Sequence, residues 1–387
     1  MEFSLSSEQR LLVDTVRRFI AEHLAPLEDE VEREGRLEPA TARTIFEKAK
    51  SLGLYAMNMP AALGGGGLSA LDTMLVEEQF GHTTDILVRR AFGNVYEVLL
   101  ACEGQQRDRW LLPTVKGERT CSIAITEPGA GSDAAGIATR AAKDGRGWRL
   151  RGRKHFISDG LYSDYFVVSA VTGQPRAISL FLVDKNLPGV TVGRDQPMMG
   201  LRGTSHVELH FDDVKLDAES LLGGEGNGMN LLQETLGRVR LAQVAARAVG
   251  KASRVLALAT SYAAERRQFG RAIGEFQFIQ QLIADSVIEI NAARLMVWRA
   301  AWEIDQGREA RDWISMVKVE ASEMLGRVVD RAVQIFGGMG FCKELPIERY
   351  YRDARVYRIF DGTSEIHRGL LARAAMRRGP PLFDIGA

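Results

Sequence analysis

The hydrophobic residues of this chain change their spacing twice, and this change most limits the folds open to it. Helical spacing covers residues 1 to about 120, short β-rich runs follow, and helical spacing returns from Leu231. A period of about 3.6 residues buries one face of a helix, whereas strict alternation buries one face of a strand. We therefore predict an α+β multidomain fold: an N-terminal α-helical domain over 1–120, a small antiparallel β-domain over 121–230, and a C-terminal four-helix bundle over 231–387.

Local patterns support each part of this prediction. Ser6 and Gln9 have the spacing of a capping box at the start of a helix. Trp148 and Leu150 alternate with charged residues, as in a strand with one buried face. After Leu231, long amphipathic segments without proline cover 241–267, 276–305 and 313–336, and a further helix is expected after Asp361. Long helices with short connections indicate a bundle.

Charge and cysteine content exclude several classes of function. Fifty basic residues balance fifty acidic residues, so no net field would hold nucleic acid or an anionic membrane. The segment MEFSLSSEQR lacks the apolar core of a secretory signal, and no apolar run reaches the length of about 20 residues that spans a bilayer. The cysteines, Cys102, Cys121 and Cys342, are odd in number and unclustered, which argues against a disulfide framework or a zinc site. We expect a cytoplasmic protein without a metal.

The segment Ile123–Asp133, IAITEPGAGSD, is the most specific stretch of the chain. A β-rich run ends at Thr126, and a Pro-Gly-Ala-Gly-Ser turn follows that would expose backbone N–H groups to a ligand. Taken alone, such a turn is more often a connecting loop. It is not a Walker A loop, because no Gly-Lys-Ser/Thr follows, and GGEGNG at 223–228 lacks the strand and helix of a dinucleotide site.

Five motifs together are similar to the successive signatures of the acyl-CoA dehydrogenase family. They are TEPGAGSD at 126–133, FISDG at 156–160, RRQFG at 266–270, QIFGGMGF at 334–341 and YYRDARVYRIFDGTSEI at 350–366. They follow the family's order and spacing, and the match covers nearly the whole chain. The resemblance implies FAD-dependent α,β-dehydrogenation of an acyl-CoA, electron-transferring flavoprotein as the acceptor, and a homotetramer built as a dimer of dimers.

The resemblance also assigns residues to the cofactor, which in this family lies between the β-domain and the bundle. Those implied to contact the flavin and its chain are Ile125, Thr126, Ser132, Phe156, Ser158, Thr363 and Glu365. Those implied to meet the pyrophosphate and adenine are Arg266, Phe269 and Gln277, with Gln334, Gly337 and Gly338 supplied by a neighbouring subunit. The fork of an arginine suits phosphate oxygens, although a solvated side chain is the alternative for Arg266.

Asp361 is the predicted catalytic base. The family's base commonly precedes Gly-Thr in the C-terminal motif, where this chain has Asp361-Gly362-Thr363. Most relatives carry Glu there, and Asp is shorter by on the order of 1 Å, a shift that can change rates about a hundredfold. Three interpretations follow: a working base with a shifted substrate or loop, a base elsewhere, or a degenerate site in which Asp361 only caps the next helix. Some relatives use a carboxylate on the first bundle helix, but the matching position here is Arg240 or Gly237.

Substrate contacts are expected from Ser132, Arg240, Gly362 and Arg373. The Asp-x-x-Arg tetrad that holds pantetheine in relatives is replaced by Thr235-Leu-Gly-Arg238 or is displaced. The shorter base favours a short, branched or alicyclic acyl group. Two alternatives stay open, a dehydrogenase acting on an acyl carrier protein and a non-catalytic scaffold.

Two further features have simpler explanations. Arg89 and Arg90 fall where relatives line the acyl pocket; solvated helix arginines are the favoured interpretation, and an inward-pointing one would indicate a second carboxylate on the substrate. His206 and His210 lie on a strand pattern, too far apart to share a metal, which favours polar packing.

Overall fold

The computed structural model of the protein describes residues 4–173 and 175–384, and helices precede and follow an eight-stranded sheet. This order confirms the predicted fold class. The helices before the sheet are α1 (Ser7–Phe19), α2 (Glu28–Glu34), α3 (Pro39–Ser51), α4 (Ala70–Phe80), α5 (Asp85–Phe92) and α6 (Leu112–Val115). The predicted capping box begins α1: Ser6 Oγ accepts a hydrogen bond from the Gln9 N–H, and the Gln9 side chain accepts one from the Ser6 N–H.

The strands of the β-domain form a largely antiparallel sheet. They are β1 (Cys121–Ala124), β2 (Arg140–Asp144), β3 (Gly147–Ser158), β4 (Tyr165–Thr172), β5 (Ala177–Asp184), β6 (Val190–Asp195), β7 (His206–Leu216) and β8 (Leu221–Leu222). Their order is β6-β7-β3-β2-β4-β5-β8, and β1 pairs with β4. The predicted antiparallel arrangement needs one refinement, because β1 and β2 both run parallel to β4.

The sheet is buried on both faces around β4. Tyr165 and Val167 pack in a core that includes Trp110 of the N-terminal helices, whereas Phe166 and Val168 pack in a core within the β-domain. Alternate residues of one strand thus enter two different cores. The first of these cores fixes the sheet against the N-terminal helices, and the candidate site lies near the same junction.

The C-terminal helices form the predicted bundle. They are α7 (Gly228–Val239), α8 (Arg247–Glu265), α9 (Gln277–Asp305), α10 (Arg311–Phe336), α11 (Gly338–Phe341), α12 (Ile347–Ala354) and α13 (Ser364–Arg378). A π-helical segment, Arg240–Ala246, joins α7 to α8, and a small hairpin of β9 (Arg267–Gln268) and β10 (Arg271–Ala272) precedes α9. Helix α10 contacts α8, α9 and α13. In the described part of the chain, no helix combines the length and apolarity that a membrane crossing requires.

One helix of the N-terminal region also packs against the bundle. Ala70 and Met74 of α4 belong to the same apolar core as α8, α9 and α10. The two regions meet so closely that a Cβ added to Gly250 would lie 1.8 Å from the Glu78 carbonyl oxygen. This contact fixes the N-terminal helices relative to the bundle, and with them the walls of the candidate site.

Candidate active site

Asp361 lies in a tight turn between α12 and α13. Its backbone has a left-handed conformation, with φ 54°, and Gly362 follows with φ 91°. Thr363 caps α13, because its side chain accepts a hydrogen bond from the Ile366 N–H. The interpretation of Asp361 as the helix cap is therefore wrong. Among the described residues, no hydrogen-bond partner is found for the Asp361 carboxylate, so this group is free to act on a ligand.

Two side chains hold the backbone of this turn. Arg240 Nε donates to the Asp361 carbonyl oxygen at 2.7 Å, and His367 Nε2 lies 3.3 Å from the same atom. His367 Nδ1 lies 3.1 Å from Ser315 Oγ. Burial lowers the pKa of His367 to about 4, so its ring is neutral near pH 7. With Nε2 as the donor, Nδ1 accepts from the hydroxyl, and both ring nitrogens are satisfied.

The electrostatic surroundings of Asp361 act in opposite directions. Burial raises the pKa of its carboxyl, while Arg240, Lys318 and Arg89 lower it. Lys318 is fully buried on α10, where Nζ donates to the Tyr357 carbonyl oxygen at 2.9 Å. Burial lowers the pKa of this lysine to about 8. The net direction for Asp361 is upward, which makes its carboxylate a stronger base than one in water.

Arg240 occupies the π-helical segment that joins α7 to α8. Such segments often occur at functional sites. Of the two positions considered for a base on this helix, Arg240 reaches Asp361, whereas Gly237 is buried and a Cβ added there would lie 3.4 Å from Ile314 Cδ1 of α10. Neither residue is a carboxylate, so neither position offers a base in place of Asp361.

A cavity of about 60 Å³ lies between the N-terminal helices and the start of the bundle. Its walls include Val239, which precedes Arg240, and Tyr96. Burial raises the pKa of Tyr96, and the negative charge of Asp361 raises it further. Much of the remaining wall is apolar, and its polar groups include Asn58, Glu97 and Arg238. Asn58 Nδ2 donates to Glu97 Oε1 at 2.8 Å, and burial raises the pKa of Glu97. The cavity thus combines apolar walls with a few hydrogen-bonding groups.

The β-domain brings two of its predicted motifs together. The His155 N–H donates to the Thr126 carbonyl oxygen at 2.8 Å, which joins the end of the TEPGAGSD segment to the residue before Phe156. A register shift in β3 between Lys154 and Ile157 gives Phe156 a left-handed backbone and leaves its ring 48% exposed. Ser158 ends the same strand, and its carbonyl oxygen accepts from Ser122 Oγ. The result is an aromatic face beside exposed main chain.

A buried lysine stabilises this region through hydrogen bonds. Lys154 Nζ donates to the Ile125 carbonyl oxygen at 2.9 Å and to Glu127 Oε1 at 2.8 Å. Glu127 in turn accepts from the N–H groups of Ala138 and Thr139. These hydrogen bonds fix the backbone of Ile125 through its carbonyl oxygen.

Other predicted site residues lie on the exposed surface of this single chain. They are Ser132, Arg266, Phe269, Gln277, Gln334, Gly337, Gly338, Glu365 and Arg373. Among the described residues, no hydrogen bond or ion pair joins this set to Asp361. Phe269 is 95% exposed, an unusual state for an aromatic side chain. Gly362 and Thr363, in contrast, share the turn of Asp361.

Arg89 and Arg90 are not solvated, and the favoured expectation for them is wrong. Their side chains are 11% and 15% exposed, and both form ion pairs with the buried carboxylate of Asp159. The Arg90 guanidinium also stacks 4.0 Å above the Tyr162 ring. The pKa of Asp159 is lowered, because the two arginines outweigh the effect of burial. A buried basic cluster thus stands next to the FISDG motif.

The two histidines of β7 have separate surroundings. His206 is buried, and burial lowers its pKa to about 4, whereas His210 is partly exposed beside Glu208. The described residues include no group of three or more His, Cys, Asp or Glu side chains arranged to hold a metal ion.

Sequence analysis missed His367, Ser315, Lys318 and Tyr96. His367 had a detectable signal, because it lies one helical turn after Thr363 and directly follows the C-terminal motif. Lys318 had none, since a lysine on a charged amphipathic helix is usually solvated. Tyr96 and Asn58 lie in connecting segments, whose contacts depend on tertiary packing.

Three family models match this chain in succession. Residues 6–118 match the model described as the acyl-CoA dehydrogenase N-terminal domain, residues 122–214 the middle domain, and residues 226–376 the C-terminal domain.

Individual proteins match over nearly the same length. The chain is 35% identical over 375 residues to the short-chain specific acyl-CoA dehydrogenase, mitochondrial, of Bos taurus, covering 95% of this chain and 90% of the relative. The solved structure of butyryl-CoA dehydrogenase from Megasphaera elsdenii superposes with a TM-score of 0.90 at 32% identity, covering 97% of this chain and 100% of that chain. A structure of PigA with FAD and proline superposes with a TM-score of 0.89 at 29% identity, covering 98% and 100%.

Proposed function

This chain belongs to the acyl-CoA dehydrogenase family, and from that premise we propose that it oxidises an acyl-CoA thioester to the α,β-unsaturated enoyl-CoA with FAD as its cofactor. In this reaction a proton leaves Cα and a hydride leaves Cβ, so a double bond forms between the two carbons. FAD, when bound, supplies the hydride acceptor. The protein has to supply a base for the proton and donors for the thioester oxygen.

The residues beside Phe156 fit a flavin. The half-exposed Phe156 ring offers a face for stacking against a flat heteroaromatic ring. The exposed main chain near Thr126 and the hydroxyl of Ser132 offer hydrogen-bonding groups of the kind that the edge of such a ring requires. On the bundle side, Ser364 Oγ is buried without a hydrogen-bond partner in the described structure. These residues, with Thr363, would hold the flavin ring. The exposed Arg266 and Gln277 would contact the pyrophosphate and adenine of FAD.

The state of Asp361 is the observation that carries this proposal. Its carboxylate has no partner among the described residues, burial raises its pKa, and its backbone is fixed by Arg240 and His367. A positioned carboxylate with a raised pKa suits the removal of a weakly acidic α-proton. The Asp361 N–H would donate to the thioester oxygen, because it donates to no other group among the described residues.

Anaerobic reduction of the bound flavin by an acyl-CoA tests the assignment. We expect Asp361→Asn to lower the rate by about a hundredfold or more, with the yellow absorbance retained, because only the base is removed. Asp330→Asn is the matched control, since Asp330 is an exposed carboxylate on α10. Asp361→Asn with near-wild-type reduction would show that the base lies elsewhere.

We further propose a short, branched or alicyclic acyl group. The shorter base favours a substrate whose Cα approaches closely. The relatives named for short-chain and butyryl substrates support the same choice. Comparing kcat/KM for a panel of acyl-CoAs tests it, and an optimum at long straight chains would contradict it.

Electron-transferring flavoprotein is the proposed acceptor of the electrons, and reoxidation of the reduced enzyme by that protein is the direct assay. A cytoplasmic location stays a prediction, which cell fractionation tests.

An acyl carrier protein is the second candidate carrier of the acyl group. The observation in its favour is the missing Asp-x-x-Arg tetrad: Thr235 is buried, and Arg238 lines the cavity. Comparing flavin reduction by the same acyl group on CoA and on a carrier protein decides between the two carriers. Faster reduction by the carrier-protein thioester would replace CoA in the proposal.

A further inference from the structure

Basic side chains outnumber acidic ones in the buried surroundings of Asp361. Arg240, Lys318 and Arg89 all act on its carboxyl, yet none forms an ion pair with it among the described residues. Lys318 directs its ammonium group to a carbonyl oxygen instead. Partly buried cations without a matching anion are unfavourable, because they lose hydration without gaining a charged partner. A ligand that supplies negative charge would relieve this imbalance.

Arg240 has the free hydrogen-bonding groups for such a ligand. Its Nε donates to the Asp361 carbonyl oxygen at 2.7 Å, but within the described residues its two terminal amino groups have no hydrogen-bond partner. Arg240 therefore presents a guanidinium fork, fixed at its Nε, beside the turn that carries the predicted base. A planar fork of this kind pairs well with a carboxylate.

The second source of positive charge is the pair Arg89 and Arg90. Two guanidinium groups share the single carboxylate of Asp159, and the Nε atoms of both are buried without a partner in the described chain. The cluster thus keeps an excess positive charge. Its effect reaches the active site, because Arg89 acts electrostatically on Asp361 and on Tyr96 in the cavity wall.

The acidic residues of the cavity do not cancel this charge. Glu77 forms a short ion pair with Arg247, which also lies near Asp85. Glu97 accepts from Asn58, and burial raises its pKa. Neither carboxylate is paired with Arg240 or Arg89.

We propose that the natural acyl group carries a carboxylate, which pairs with the guanidinium of Arg240 in the potential of Arg89 and Arg90. The substrate class is then a CoA monothioester of a short dicarboxylic acid. This inference rests on the proposed function and leaves its chemistry unchanged: the carboxylate fixes the acyl chain while the α-proton passes to Asp361. An uncharged fatty acyl chain of the same length would leave the fork of Arg240 unpaired.

The test compares glutaryl-CoA with its terminal carboxamide, which has nearly the same shape without the charge. Both carry the same CoA, so any contact of arginines with CoA phosphates affects them equally. We expect kcat/KM for flavin reduction to favour glutaryl-CoA by about tenfold or more, as for loss of one charge-assisted pair. Anaerobic calorimetry on Asp361→Asn, in which flavin reduction is expected to be strongly slowed, is expected to show the same preference in Kd.

Substitution of Arg240 gives the second arm. In Arg240→Met the preference is expected to fall to about one, and in the matched control Arg146→Met, an exposed arginine between β2 and β3, it is expected to persist. If Arg240→Met does not fold, Arg240→Gln replaces it, because an amide can still donate to the Asp361 carbonyl oxygen. Equal rates for the two thioesters in the wild type, or a preference that survives removal of Arg240, would overturn the inference.

The failure of this inference can be told apart from failure of the proposed function. If butyryl-CoA reduces the flavin and glutaryl-CoA does so equally well or more slowly, only the assignment of a dicarboxylic substrate is overturned. If no thioester reduces the flavin, the proposed function fails, while the calorimetric comparison still decides whether the site prefers an anionic acyl group.

Discussion

The protonation state of Asp361 determines the pH range in which it can act as a base. Burial raises its pKa against the opposing charges of Arg240, Lys318 and Arg89. A base must be deprotonated, so we expect flavin reduction by butyryl-CoA to slow as the pH falls through this raised pKa. Arg240→Gln removes one opposing charge and is expected to move the acid limb to higher pH, by up to about one unit. Stopped-flow measurements of flavin reduction across pH test this, with Arg146→Gln as the control. An acid limb that does not move in Arg240→Gln would contradict the electrostatic coupling of Arg240 to Asp361.

The sequence reached some residues of the site and not others. Asp361, Gly362 and Thr363 were predicted because a motif places them together along the chain. The conformation of Asp361 was not, since a left-handed backbone at a non-glycine residue depends on the tertiary bonds from Arg240 and His367. The burial of Arg89 and Arg90 was missed for a similar reason, because Asp159 lies about 70 residues away.

At the scale of elements, the crossing of α4 and α8 depends on glycine. A Cβ at Gly250 would lie 1.8 Å from the Glu78 carbonyl oxygen, too close for any rotation of a side chain to relieve. We expect Gly250→Ala to lower the free energy of unfolding by about 3 kcal/mol or more, measured in urea. Gly369→Ala on α13 is the control, and it should be neutral or stabilising by up to about 1 kcal/mol, because only a flexible arginine lies nearby. Equal stability of the two variants would contradict the packing.

Hydrophobic spacing predicted the helices after Leu231 well, because amphipathic periods report directly on burial. It could not predict that α4 joins the core of the bundle, or that β1 runs parallel to β4. Both are pairings between distant segments. The hydrophobic period of one segment does not indicate which other segment it packs against. The π-helical segment at Arg240 was missed for a different reason, since one extra residue in a turn barely changes the period.

At the scale of the whole molecule, exposed aromatic rings predict that the chain assembles with copies of itself. Phe269, Phe278 and Phe341 are 95%, 84% and 83% exposed, and large apolar side chains in such numbers often mark interfaces. The family resemblance implies a homotetramer in which Gln334, Gly337 and Gly338 complete a neighbour's cofactor site. We therefore expect light scattering to give the mass of four chains, and Phe278→Asp to reduce both that mass and the FAD content. Leu11→Asp on α1, 66% exposed in the wild type, should change neither. A dissociated Phe278→Asp that keeps its full FAD would show that each cofactor site is complete within one chain.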